Sequence, residues 1–181
     1  MKKPTAFSTA ILILLVTLAG CSQNNGIPSN ENESGDRTKV YSISGENEFI
    51  VISNGEIILT AEFEKFFGGE LSFKGEELSD IKDYRTEFYF YLNGDKTVIN
   101  SNILSIVGSE EGMSIAPDMG STSSEKMFSA EVWDIITGPD SLHFSLSGTL
   151  MNDETFEYSI VLNVRENDNV SGLHIHYEAK S

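Results

Sequence analysis

Residues 88–99, "FYFYLNGDKTVI", set two runs of aromatic and β-branched residues on either side of Asn93-Gly94. Both central positions of a type I′ turn need positive φ, which Asn and Gly tolerate best, so the stretch predicts a two-residue β-hairpin. In that register Tyr89 stands opposite Val98. Residues 50–59, "IVISNGEIIL", repeat the pattern and predict a second hairpin at Asn54-Gly55, with Val51 opposite Ile58.

Further along, the apolar period stays at two. "FEYSIVLNV", residues 156–164, places Phe156, Tyr158, Ile160, Leu162 and Val164 on one face, and "LHFSL", residues 142–146, groups Leu142, Phe144 and Leu146 against His143 and Ser145. Strands are expected near 39–44, 48–53, 56–64, 70–74, 85–92, 97–106, 128–136, 142–150, 155–165 and 172–178. Short strands separated by turn signals predict an all-β fold, a single antiparallel β-sandwich of immunoglobulin-like type, with a closed barrel as the alternative. "AEFEKFFGG", residues 61–69, has a second reading as a short helix stopped by Gly68, and the spacing of Leu78, Ile81 and Tyr84 allows one helical turn. The folded domain spans 39–178, about 140 residues, enough for one core and too few for two.

The amino terminus has a different character. After Met1, Lys2 and Lys3 an uncharged run from Ala6 to Gly20 leads into Cys21, the only cysteine of the chain. A basic end followed by a short apolar segment and small residues reads as an export signal over 1–20, too short for a permanent span. "LAGC", with Leu18, Ala19 and Gly20 before the cysteine, resembles the lipobox of bacterial lipoproteins. That resemblance implies lipidation of Cys21 and cleavage just before it, which attaches the protein to a membrane through lipid. Residues 21–38 contain Ile27 as their only large apolar side chain and read as a tether. The 17 residues from Ser22 to Thr38 would reach about 20 to 25 Å as a flexible coil.

Loss of residues 1–20 removes two lysines and no acid, moving the net charge from −16 to −18. A surface this acidic repels polyanions and lacks the basic stripe that phosphate contacts require, so no nucleic acid partner is expected. With one cysteine, no internal disulfide can form.

The sequence contains no G-x-S-x-G, H-E-x-x-H, Walker or G-x-G-x-x-G motif, so catalysis loses its usual support and no cofactor is expected. Acidic pairs such as Glu76-Glu77, Glu110-Glu111 and Asp153-Glu154 read as solvated loops. On a strand, His174 and His176 point to one side and supply two ligands to a metal, with His143 or a carboxylate needed to complete the shell. Asn167 to Glu178 carries the oxygen spacing of a calcium loop, but Asn167 replaces the usual aspartate and the flanks read as strands. In "EFYFYL", one face takes Phe88, Phe90 and Leu92, which leaves Tyr89 and Tyr91 together on the other. An exposed tyrosine pair stacks on a sugar ring or anchors a protein partner, unless a neighbouring element or Trp133 covers it. Residues 108–126 form the longest stretch without a strand pattern, and Met113 and Met119 are candidate contacts there.

Three further pieces, "SGENEF" at 44–49, "GGELSFKG" at 68–75 and "FYFYLNGDKTVINS" at 88–101, resemble a group of small lipoproteins of spore-forming Gram-positive bacteria, with Phe49 where a tryptophan is expected. The resemblance implies placement on the outer face of a cytoplasmic membrane and supplies no functional residue. The reading at this level is a non-catalytic, lipid-anchored binding module with a protein or cell-wall partner. The alternative is a metal-binding lipoprotein using His174 and His176.

Overall fold

A computed structural model describes residues 38–109 and 111–167. Nine strands and one helix follow one another: β1 (Lys39–Glu46), β2 (Ile50–Leu59), β3 (Glu64–Phe67), β4 (Glu70–Phe73), β5 (Ile81–Leu92), β6 (Asp95–Ser105), β7 (Ser121–Ser124), α1 (Ala130–Ile136), β8 (Leu142–Leu150) and β9 (Thr155–Glu166). All pairings are antiparallel, in the order β6-β5-β8-β9-β1-β2-β3-β7, with β4 also on β2. The fold is therefore all-β, and the sheet wraps into a nearly closed, barrel-like form.

Two features close it. β9 changes partner along its length, with Thr155–Leu162 on β8 and Asn163–Glu166 on β1. At the far ends of the path, Asn100 on β6 donates through Nδ2 to the Met119 carbonyl just before β7, at 3.3 Å. The interior is filled from several walls at once: Phe66 on β3 meets Phe88 on β5 with ring centroids 5.1 Å apart, and Phe88 meets Phe144 on β8 at 4.9 Å. All three rings are fully buried.

The hairpin at Asn93-Gly94 forms as expected. Asn93 and Gly94 take φ of 54° and 91°, Leu92 pairs with Asp95, and Tyr89 pairs with Val98. Asn54-Gly55 does something else. β2 runs straight through it, so Val51 pairs with Glu46 and Ser72, and Ile58 pairs with Val40 and Lys65. Asn54 has the expected positive φ of 57°, but it sits at a bulge where the β1 register slips between Ile43 and Gly45. A left-handed residue serves a bulge as well as a turn, and local sequence does not separate the two. The other edge of β2 changes partner at the same point, from β4 to β3, across the corner at Gly68-Gly69. The actual β1–β2 turn is held by Asn47, whose Oδ1 accepts from the backbone N–H groups of Phe49 and Ile50.

The strand expected over 128–136 is helix α1. Ser129 caps it by accepting from the Val132 N–H, Glu131 lies in its first turn, and Trp133 and Ile136, three apart, form its buried face. That spacing is helical and outweighs the β-branched composition. The helical alternatives at 61–69 and 76–84 resolve to strand, with Glu64–Phe67 in β3 and Ile81 and Tyr84 in β5. Within 108–126, Met113 bridges to Ile81, Asp118 bridges to Glu70, and β7 forms a short strand on β3. The tenth expected strand, 172–178, lies outside the described residues.

Candidate functional site

The binding face expected at Tyr89 and Tyr91 falls on the outer side of the half-sheet β6-β5-β8-β9. Strand pleating requires this: Phe88 and Phe90 point into the core, so their odd-numbered neighbours point out. At the level of Tyr89, the registers align Val98, Tyr89, His143 and Val161 as one row across four strands. The imidazole of His143 stacks on Tyr89 with centroids 5.2 Å apart and planes 15° apart. Tyr91, two residues along β5, stands edge-on to both, 5.7 Å from Tyr89 and 5.5 Å from His143. Such edge-to-face pairs each contribute about 0.5 to 1.5 kcal/mol beyond area burial.

A charged group buttresses the rings. Lys96 pairs with Tyr91 across the hairpin, and its Nζ lies 4.0 Å from the centre of the Tyr89 ring, a cation–π contact. The same ammonium reaches Glu87 Oε2 at 2.5 Å, while Arg85 Nη2 reaches Glu87 Oε1 at 2.7 Å. Glu87 is 8% exposed, one of two buried polar residues in the described core, and both of its oxygens are engaged.

Burial pushes the His143 pKa below its ordinary 6.5, and Asp140 partly opposes the shift. Burial, reinforced by Tyr91, pushes the Tyr89 hydroxyl above 10. Both rings are therefore uncharged at neutral pH, and the cluster presents an apolar shelf edged by cations.

The tyrosines are not equivalent. Tyr89 is 9% exposed and Tyr91 is 51% exposed, so one ring is foundation and the other stands free. Trp133 covers neither, because it packs on Phe128, which packs on Phe90 at the opposite face of β5. The two methionine candidates do not join this surface: Met119 is 2% exposed in the core, and Met113 is partly buried against it. Cys21, Leu18, Ala19, Gly20, His174 and His176, with most of the calcium-like stretch, lie outside the described residues.

Sequence reasoning missed Lys96 and Glu87 and gave His143 a different role. Lys96 was within reach of the Asn93-Gly94 register, which sets it opposite Tyr91. His143 was not, because its place beside Tyr89 depends on the pairing of β5 with β8, and nothing local specifies that.

Elsewhere, an open cleft of about 440 Å³ is lined by residues that include Asn54, Glu56, Gly69, Glu70 and Asp118. Among the described residues, no group of three or more His, Cys, Asp or Glu is placed to hold a metal ion. Among them also, no helix is long and apolar enough to cross a membrane. Comparison with protein-family models, curated proteins and solved structures finds no match.

Proposed function

We propose that this chain is a lipid-anchored lipoprotein of the cell envelope, a non-catalytic module that binds its partner on the outer face of β5 and β8. The observation that carries the binding reading is the half-exposed Tyr91 ring standing on a preformed shelf of Tyr89 and His143. Rings already locked by packing lose little freedom when a partner lands on them, and aromatic anchors of this kind dominate binding energy. The anchor rests on the lipobox resemblance at Leu18–Cys21 and the apolar run before it. Placement among small lipoproteins of spore-forming Gram-positive bacteria rests on the three sequence pieces quoted above. For the fold, the proposal is a sandwich, immunoglobulin-like in the broad sense of two facing antiparallel layers that share β9; Phe66 in one layer against Phe88 in the other supports it.

The binding reading is tested by sedimenting the full-length protein, in a Cys21→Ser background so that no lipid holds it, with envelope material from the cells that make it. Tyr91→Ser should cut the retained fraction several-fold, while Phe49→Ser, an exposed ring that instead contacts Tyr158, should not. Equal retention with and without Tyr91→Ser in that background would overturn the reading.

A further inference from the structure

The ring row has a companion of opposite character. One step down the same outer face, the registers align Ser101, Glu87, Ser145 and Ser159 across the same four strands. An apolar row of two rings between two valines therefore runs beside a row of three hydroxyls and a carboxylate. Val98 and Val161, at the ends of the apolar row, are 40% and 46% exposed. At the ordinary strand spacing a four-strand row is about 14 Å long, room for a short chain of linked rings lying across the strands.

Charge narrows the occupant. The chain as a whole carries 12 basic and 28 acidic residues. Beside the rings the balance differs: Arg85 and Lys96 share the single carboxylate of Glu87. A basic protein partner would find little to pair with here, and a nucleic acid would meet a strongly acidic molecule around the patch. A neutral, polyhydroxylated ligand matches both rows. Its C–H faces lie on aromatic rings, its hydroxyls meet the serines, and acetyl methyl groups cover the valines.

Building on the binding face proposed above, we infer that its ligand is a linear, β-linked glycan of N-acetylated sugars, laid across β6-β5-β8-β9 with its ring faces on Tyr91 and His143, which Tyr89 supports from beneath, and its hydroxyls along Ser101, Ser145 and Ser159. Tyr91 closes over one side of the seated chain, and Lys96 donates to an acetamido or hydroxyl oxygen. No bond is made or broken.

The test is titration of the full-length protein with the β-1,4-linked N-acetylglucosamine pentamer, followed by calorimetry and by NMR of the tyrosine and histidine side chains. The pentamer should bind and perturb Tyr91 and His143. Tyr91→Ser should weaken binding about tenfold, with its melting temperature held near that of the unaltered protein. The corresponding glucose pentamer, which lacks acetamido groups, should bind more weakly. Absence of pentamer binding, or binding that Tyr91→Ser leaves intact, overturns the inference; equal affinity for the two pentamers overturns its N-acetyl part. If the pentamer does not bind while envelope retention still depends on Tyr91, the glycan is wrong and the binding face stands, with a protein as its partner. If both are indifferent to Tyr91, both readings fall.

Discussion

The imidazole of His143 lies flat against the phenol of Tyr89, 5.2 Å from centroid to centroid, although 54 residues separate them in the chain. Their contact exists because β5 and β8 pair in a register that sets the two side chains opposite each other on the outer face. The proposed site is thus a product of sheet assembly, and its chemistry can be tested one ring at a time.

Tyr89 and Tyr91 should separate in stability measurements. Tyr89→Ala removes the buried ring under the cluster and should cost about 2 kcal/mol in denaturant unfolding. Tyr91→Ser, at a half-exposed position, should cost no more than about 1 kcal/mol. Equal losses would mean that Tyr91 is structural and that the free-ring account is wrong.

Stability should respond to pH through His143. Folding lowers this pKa by burial, so as pH falls the unfolded chain takes up the proton before the folded one. The contribution of the neutral ring is complete above 6.5 and is lost as the pH drops through 6.5 toward the folded value. Self-repulsion of the acidic surface changes over the same range, so the useful quantity is a difference. The melting-temperature advantage of the unaltered protein over His143→Gln should shrink between about pH 7.5 and 5. An advantage that grows on acidification would contradict the burial of this ring.

Two glycines with left-handed backbone should behave very differently. Gly94, at φ 91°, has open space around it, so Gly94→Ala pays only the backbone term of about 1 kcal/mol. A Cβ on Gly69, at φ 77°, would lie 2.2 Å from the Ser53 carbonyl oxygen and 2.5 Å from the Gly55 nitrogen. Gly69→Ala should cost about 3 kcal/mol or more. Urea melts of the two variants check this, and comparable stabilities would mean that the corner between β3 and β4 is not packed against the β2 bulge.

Glu64 fixes the approach to α1. Its Oε2 accepts from the backbone N–H groups of both Met127 and Phe128. Glu64→Ala leaves two partly buried donors without that acceptor and should destabilise by about 2 kcal/mol, whereas Glu64→Gln keeps an acceptor oxygen and should recover most of the loss. A glutamine variant as unstable as the alanine variant would show that the charge, not the pair of hydrogen bonds, matters.

The proposed anchor has a direct test. Cys21→Ser should yield a protein that carries no lipid and leaves the membrane fraction on washing, read by fractionation and intact mass. Continued acylation of that variant would overturn the assignment.

What the sequence disclosed depended on how local each decision was. The Asn93-Gly94 hairpin was readable to its register because two adjacent residues and their flanks determine it. Asn54-Gly55 carries the same signal, but only Asn54 takes the positive φ that a type I′ turn requires of both residues, and whether the chain turns or bulges there depends on β1, β3 and β4. Helix α1 was obscured by Phe128, Val132 and Trp133, which suit strands by composition, though Trp133 and Ile136 already stood at helical spacing. Tyr89 and Tyr91 were legible as a shared face through pleating alone. The stacking of His143, the ion triad on Glu87 and the burial of Met119 depend on partners far along the chain, which no local pattern specifies.

β9 joins the two parts of the wrapped sheet: its first eight residues belong to the hydrogen-bond ladder with β8 and its last four to the ladder with β1. During synthesis, β1 emerges first among the described strands and must wait for nearly all the others before its second neighbour exists. The molecule therefore cannot seal from one end as it is made. Its closing step comes late and over long sequence separation, the regime in which folding is slow. A chain halted before Thr155 has, among the described residues, no strand with which to join the edge of β1 to that of β8, whatever hairpins it has already formed.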